Sequence, residues 1–312
     1  MPSKTNIVIL GLGAVGGYYG GKLASYYLKE NRIIFFARGE NEKAIRMNGL
    51  KLISDEEEQI IHPSILTNNA AAVGPVDLII ICVKSFDLEK SLESIKPCID
   101  NKTIILPLLN GVDAPERIKI ILPETEVWDG CVYLVSRLIA PGVVKVSGAI
   151  NHLYFGSRNA SKEKLKQVEN IFNSAYIKAT LSENITETLW EKFLFISPLA
   201  TATSYFNLSV GSILKNNENK EILLKLISEL KNVAAANDII LPQDIIEKTI
   251  NKITSLPFET TSSMHSDFQK GNKTEVDSLT GYVTWLGRKL NIATPVYDTI
   301  LNALNEKIKS RL

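Results

Sequence analysis

The feature that most constrains this chain is Gly11-Leu12-Gly13-Ala14-Val15-Gly16, a GxGxxG run. An apolar segment, Asn6–Leu10, precedes it, and a helix-like stretch follows to about Glu30. In that setting each glycine has a separate task. The first permits a tight turn, the second lets backbone approach a pyrophosphate, and the third lets the helix pack closely on the strand. The helix N-terminus then presents unpaired N–H groups and a partial positive charge to phosphate. A glycine-rich turn without a ligand has the same composition, so the weight rests on the strand before it and the helix after it.

The rest of the first half fits that opening. Ile33–Ala37, Asp77–Val83 and Thr103–Leu109 are apolar runs of strand length, separated by the helical stretches Leu88–Ile95 and Ala114–Ile121. The continuous run DLIIICV suits a strand buried on both faces. Strands alternating with helices imply a parallel sheet covered on both sides. Val127–Ile139 and Gly142–Gly156 read as a β-meander turning at Pro141-Gly142, and Leu165–Ala175 as one more helix. Beyond Ser182 strand patterns stop. Ile185–Tyr205, Glu221–Ala236, Asp244–Ile253, Thr274–Leu290 and a last helix from Pro295 to about Lys309 are all helical, with Ile222, Leu226, Leu230 and Val233 at amphipathic spacing. The expected class is α/β, with a Rossmann-type nucleotide-binding domain over residues 1–183 and an all-helical domain over 184–312. The acidic run Asp55–Glu58 reads as a solvated loop.

Composition removes several function classes. The 312 residues carry 35 Lys+Arg against 34 Asp+Glu, a net charge of +1, which argues against a general grip on nucleic acid. No apolar stretch reaches the roughly 18–20 residues of a membrane span, and the first residues do not have the form of a secretory signal. Cys82, Cys98 and Cys131 fit neither a zinc nor a redox spacing and read as free thiols of a reducing compartment, so the expected location is the cytoplasm. His62, His152 and His265 are scattered, and no metal site is expected.

In open α/β sheets ligands bind beyond the carboxyl ends of the strands. After the second strand stands Phe36-Ala37-Arg38-Gly39, where an acidic residue would select the ribose hydroxyls of NAD. Arg38 instead suits a 2′-phosphate through charge-assisted hydrogen bonds, which favours NADP. A plain surface arginine is the alternative, and Glu40 and Glu42 lie close downstream. Lys84 and Asn110 end the next two strands and are expected on the same rim. The alternatives there are a solvated lysine and an Asn-Gly turn.

These residues resemble the ketopantoate reductases (2-dehydropantoate 2-reductases) along nearly the whole chain. The resemblance lies in GLGAVGGYYG, ARGE, ICVKS, LLNGV, RLIAPGVV, LWEKF, SSMHSDFQKGNKTEVDSLTGYV and TPV, in that order. It implies a Rossmann domain, a helical domain and an active site in the cleft between them. It also implies NADPH-dependent reduction of a small 2-keto acid, ketopantoate, to pantoate on the route to pantothenate and coenzyme A. By motif, Lys192 corresponds to the catalytic lysine and Glu275 to an acid with a catalytic and cofactor-side role. Ser263 corresponds to a substrate-binding serine. Lys84 and Asn110 correspond to cofactor-side residues bordering the substrate, and Arg38 to the 2′-phosphate arginine. An ammonium beside a ketone that receives hydride stabilises the alkoxide and donates its proton. A lysine snorkelling from a buried helix is the plain reading of Lys192, and an exposed helix N-terminus that of Glu275 and Asp277. The resemblance allows a homodimer through the helical domain and equally a monomer.

The chain also departs from the family pattern. Asparagines common four and eight residues after the lysine, on the same helix face, are here Ile196 and Ala200, and the one before Gly211 is Val210. Ser197, Thr201 and Thr203 are polar but at other helical phases. Isoleucine and alanine supply neither donor nor acceptor. The reaction class is thus retained while the substrate side is altered. The other readings are a reductase of a different 2-keto acid and a non-catalytic NADP(H)-binding sensor.

Overall fold

The structure, a computed structural model, describes residues 5–27, 32–54 and 57–310, with the backbone alone at 149 and 150. Glu30, the expected end of the first helical stretch, and Asp55 and Glu56 of the acidic run lie outside the described residues. The chain forms two compact units, Met1–Leu109 with Ala114–Ile185, and Asn110–Asp113 with Thr186–Leu312.

The first unit runs β1 (Asn6–Leu10), α1 (Ala14–Tyr26), β2 (Arg32–Phe36), α2 (Gly39–Asn48), β3 (Leu50–Ile53), β4 (Glu58–Ile61), β5 (Ile65–Thr67) and β6 (Leu78–Ile81). It continues with α3 (Leu88–Ile95), β7 (Ile104–Pro107), α4 (Ala114–Ile121), β8 (Glu126–Val127), β9 (Asp129–Ala140), β10 (Val143–Gly156), α5 (Lys162–Ser174) and β11 (Ala179–Leu181). Six strands form a wholly parallel sheet in the order β5-β2-β1-β6-β7-β8. Counted among themselves these strands stand in the order 3-2-1-4-5-6, the doubly wound order of dinucleotide-binding sheets, so the Rossmann expectation holds. The reversal falls between β1 and β6.

Alternation along each strand divides the side chains between two layers. Ile7, Ile9, Ile33, Phe35 and Ile80 pack with Tyr18, Tyr19 and Leu23 of α1. Val8, Leu10, Ile34, Phe36, Ile79 and Ile81 pack with Leu88, Leu92 and Ile95 of α3 and Ile118 of α4. Both faces are dry, which is why these strands read as continuous apolar runs.

A second sheet, β11-β10-β3-β4 with β9 along β10, was only half legible. The β9–β10 hairpin turns at Pro141-Gly142 as its sequence implies. The β3–β4 hairpin, β5, β11 and helix α2 carry weaker patterns and were not anticipated. Helix α1 is clamped between the two sheets through its glycines. A Cβ at Gly20 would sit 3.0 Å from Phe35 of the first sheet, and one at Gly17 would sit 2.6 Å from Val144 of the second. The GGYYGG segment is therefore a packing device in addition to a ligand loop.

The second unit is helical: α6 (Ile185–Phe206, its first residue grouped with the first unit), α7 (Val210–Lys215), α8 (Asn217–Ala236), α9 (Ile245–Thr254), α10 (Ser263–Lys270), α11 (Tyr282–Lys289) and α12 (Pro295–Lys309). Its core gathers Trp190, Phe193, Leu226, Leu230, Val283, Tyr297 and Leu304. Pro295 opens α12 as expected, and Glu229 of α8 reaches across to cap it, accepting the N–H groups of Val296 at 2.9 Å and Tyr297 at 3.1 Å. The expected helix Thr274–Leu290 is not one α-helix. It opens on a π turn, Asp277–Gly281, in which Tyr282 N–H bonds back to Asp277 O. No described helix is long and apolar enough to cross a membrane.

Candidate functional site

Two constellations carry the chemistry-bearing residues, one in each unit. In the first, Gly11 leaves β1 with φ +94°, and a side chain there would strike Val83. A Cβ at Gly16 would lie 1.9 Å from Gly11 O and 2.9 Å from Cys82 Cβ, so helix and strand are in backbone contact. Gly13 differs. It is the N-cap of α1, with φ −72° and no side chain to cap the helix, and a Cβ there would meet nothing within 4 Å. No acid stands in the first turn, formed by Ala14 and Val15 onward. Open space, the N–H groups of a helix start and a first turn without acidic side chains suit a pyrophosphate.

Asn41 holds this loop, which sequence reading missed. Its Nδ2 donates to Leu12 O at 2.5 Å, and its Oδ1 accepts from Gly142 N at 2.6 Å. An asparagine bridging two loops, the second of them 101 residues away, leaves no local signature.

Arg38 is the N-cap residue of α2, just past β2, and its guanidinium is about half exposed and bonded to Asp87 at 3.0 Å. That pairing uses one face of a five-donor fork and leaves donors for an added phosphate. The two neighbouring acids are engaged elsewhere: Glu40 with Lys43 at 2.8 Å, and Glu42 with Arg46 at 2.8 Å and Asn68 at 3.0 Å. Lys84 is exposed, three residues past β6 at the start of a short 3₁₀ turn. Register places the ends of β1 and β6 side by side, Leu10 opposite Ile81.

In the second unit, Asn110 follows β7 by three residues and is grouped with the helices. Lys192, half-buried on α6, donates from Nζ to Asn110 Oδ1 at 3.1 Å. The structure thus joins two residues singled out separately. Ser263 is exposed at the first position of α10, while its neighbour Ser262 caps the helix by accepting His265 N–H at 3.0 Å. His265 bonds Asn207 at 2.9 Å, and partial burial, with Lys307 nearby, holds its pKa below the usual histidine value.

Glu275 is not on an exposed helix end. It is 3% exposed, two residues before the π turn, and its carbonyl accepts from Leu279 N at 3.0 Å and Ser278 Oγ at 3.2 Å. Asp277 is the exposed one. Of the positions where the family pattern has asparagine, Ala200 and Val210 are buried and Ile196 is half-buried. The nearby hydroxyls are fully buried and already bonded: Ser197 to Leu279 O and Tyr297, Thr201 to Thr280, and Thr203 to Leu199 O and Ser262. They do not replace the missing amides. All three cysteines are unbridged thiols, and burial raises Cys82 and Cys98 above their usual pKa, Cys98 to about 11. Among the described residues no group of three or more His, Cys, Asp or Glu is placed to hold a metal.

Comparison with known proteins follows the same division. Residues 7–160 match the family Ketopantoate reductase PanE/ApbA, and residues 184–308 match its C-terminal counterpart. A crystal structure of 2-dehydropantoate 2-reductase from Porphyromonas gingivalis W83 is 32% identical, with a TM-score of 0.84, covering 97% of this chain and 99% of that one. The 2-dehydropantoate 2-reductase of Streptococcus pyogenes is 26% identical over 304 residues, 96% of this chain and 97% of its own length. An uncharacterized oxidoreductase of Bacillus subtilis, YkpB, is 28% identical over 294 residues, 94% of this chain and 95% of its own.

Proposed function

This chain belongs to the ketopantoate reductase family of oxidoreductases, and on that premise we propose that it uses NADPH to reduce ketopantoate to pantoate, a step toward pantothenate and coenzyme A. The single observation that carries the reading is the Lys192–Asn110 hydrogen bond, which fixes an ammonium by a neutral amide oxygen. An ammonium carries three N–H donors, and the amide oxygen takes one of them and so sets its direction.

The family is NAD(P)-dependent, and the residues present fit the phosphorylated form. Gly11–Gly16 and the α1 N-terminus would hold the pyrophosphate, Arg38 the 2′-phosphate, and Lys84, Asn110 and Glu275 would border the rest. NADPH, when bound, supplies the hydride. Lys192 would then stabilise the alkoxide formed at the keto carbon and give it a proton from Nζ. Asn110 orients that ammonium, and Ser263 offers a hydroxyl to the substrate carboxylate.

A second reading keeps the chemistry and changes the acid. Ile196 and Ala200 continue the helix face of Lys192 without a polar atom, and the adjacent hydroxyls are consumed internally. That face suits a 2-keto acid whose side chain lacks the hydroxyl of ketopantoate. NADPH oxidation at 340 nm with ketopantoate beside unbranched, branched and aromatic 2-keto acids separates the two. The highest kcat/KM on ketopantoate supports the first, and a preference for hydrocarbon side chains supports the second. Tight NADPH binding without turnover of any acid would overturn both in favour of a sensor.

A further inference from the structure

Helix α6 carries two stripes. Lys192, Ile196 and Ala200 follow one another at four-residue spacing, and Ser197 and Thr201 form a neighbouring stripe about 100° around the helix. Both hydroxyls of the second stripe are fully buried and both end on the π turn. Ser197 Oγ donates to Leu279 O at 2.6 Å, and the hydroxyls of Thr201 and Thr280 lie 2.8 Å apart. Because the Ser197 proton is committed to Leu279, the Tyr297 hydroxyl, 2.8 Å away, donates to Ser197. Tyr297 is fully buried at the start of α12, and burial raises its pKa well above the usual tyrosine value, so it remains a donor.

The π turn in turn backs the Asn110–Asp113 loop. A Cβ at Gly111 would lie 3.6 Å from Ser278 O and 3.9 Å from Ser278 Cβ. Asn110, beside it, receives the Lys192 ammonium. The neighbours close a ring: α6 is bonded through Ser197 to the π turn, the π turn lies within the reach of one added methyl group at Gly111, and the loop returns through Asn110 to α6 at Lys192. π Turns inside helices recur at functional sites, and here the turn has a buried brace on the helix that bears the lysine.

We infer that Ser197, with Tyr297 behind it, is a positioning residue. It sets the π turn on α6, and so fixes the loop that holds Lys192 and the segment that begins at Glu275. The inference rests on the reductase reading for its catalytic consequence, but the brace itself can be measured without turnover.

The test compares the wild-type protein with Ser197→Ala, Tyr297→Phe, Asn110→Ala and the Ser197→Ala/Asn110→Ala double variant. Ser197→Ala is expected to lower kcat about tenfold, the scale of one lost hydrogen bond, with the KM for NADPH unchanged. Its effect should shrink to less than about twofold once Asn110 is already alanine. Equal losses in both backgrounds, or a loss that tracks only thermal stability, would overturn the positioning role. Tyr297→Phe removes a single oxygen from a packed ring and decides the matter if Ser197→Ala does not fold. Hydrogen exchange supplies the independent arm. Amides of 279–283 and 111–113 should lose at least about tenfold protection in Ser197→Ala while those of α8 do not. Unchanged protection overturns the brace whether or not the enzyme turns over. Absence of turnover with changed protection overturns the reductase reading alone.

Discussion

The glycine loop of the first unit and the lysine constellation of the second solve the same problem, holding polar groups still, by opposite means. The loop is set by backbone. Six consecutive residues, one strand end and one helix start determine it, and its tightest contact is backbone to backbone, with Gly16 against Gly11 O. The lysine constellation is set by side chains from remote segments: Lys192 and Asn110 are 82 residues apart, and Ser197 and Leu279 are also 82 apart. A site of the first kind writes itself into a short motif. One of the second kind leaves single hydroxyls and amides scattered through the chain, each unremarkable where it stands.

The sharpest way to break the comparison is to add one methyl group at two glycines of the same loop. Gly16→Ala must displace backbone and should cost about 3 kcal/mol, seen as a large fall in thermal midpoint. Gly13→Ala enters open space at an ordinary φ and should leave the midpoint within about a degree while weakening NADPH binding, measured by fluorescence titration. Equal destabilisation by both would mean that the loop is not backbone-limited.

Next in size is Lys192→Ala, which should lower turnover about 10²- to 10⁴-fold. Its NADPH affinity should stay within about threefold, since the nucleotide would be held by the glycine loop of the other unit. Undiminished kcat would remove Lys192 from the chemistry. Arg38→Ala is expected to weaken NADPH about tenfold and NADH hardly at all, as one charge-assisted pair is lost. Parallel losses for both nucleotides would assign Arg38 to its bond with Asp87 instead.

The smallest effect concerns acid. Glu169 ties α5 to β11 by accepting Leu181 N–H at 3.1 Å and Lys166 at 2.5 Å. The Lys166 bond first, and the backbone bond with it, hold its pKa below the usual carboxylate value against the opposing effect of burial. A depressed carboxylate stabilises above its unfolded pKa and loses that contribution as pH falls through the folded one. Exchange protection at Leu181 should therefore drop on acidification below about pH 4, the usual carboxylate range, more in wild type than in Glu169→Gln. The hydroxyls of the brace in the second unit do not titrate there, and protection at Val283 should not follow that of Leu181.

Much of the first unit was legible because its cause is local. Continuous apolar runs marked β1, β2, β6 and β7, and the absence of an acid after β2 brought Arg38 forward. The β3–β4 hairpin escaped because its strands are short and half exposed, and α2 because its sequence is largely polar. In the helical unit the amphipathic period exposed α8 and Pro295 marked the start of α12, but a π turn differs from an α-helix by one residue of register, which no hydrophobic period of this length resolves. The burial of Glu275 was hidden for the same reason: an acid before a helix is ordinarily a solvated cap, and only the packing around this one shows otherwise.

What this sequence determined by itself is the alternation of β1, α1, β2, β6, α3, β7 and α4, the glycine loop and the residue types that a reductase of this family uses. These follow from short-range preferences and from spacing along the chain. What only the tertiary structure decided is which polar groups are already spent. Ser197, Thr201 and Thr203 are bonded inside the helical unit, Glu40 and Glu42 are paired away from Arg38, and Lys192 rests on Asn110. A hydrogen bond needs its partner within about 3 Å and in line, and across 82 residues of chain that distance is set by packing, on which local sequence is silent.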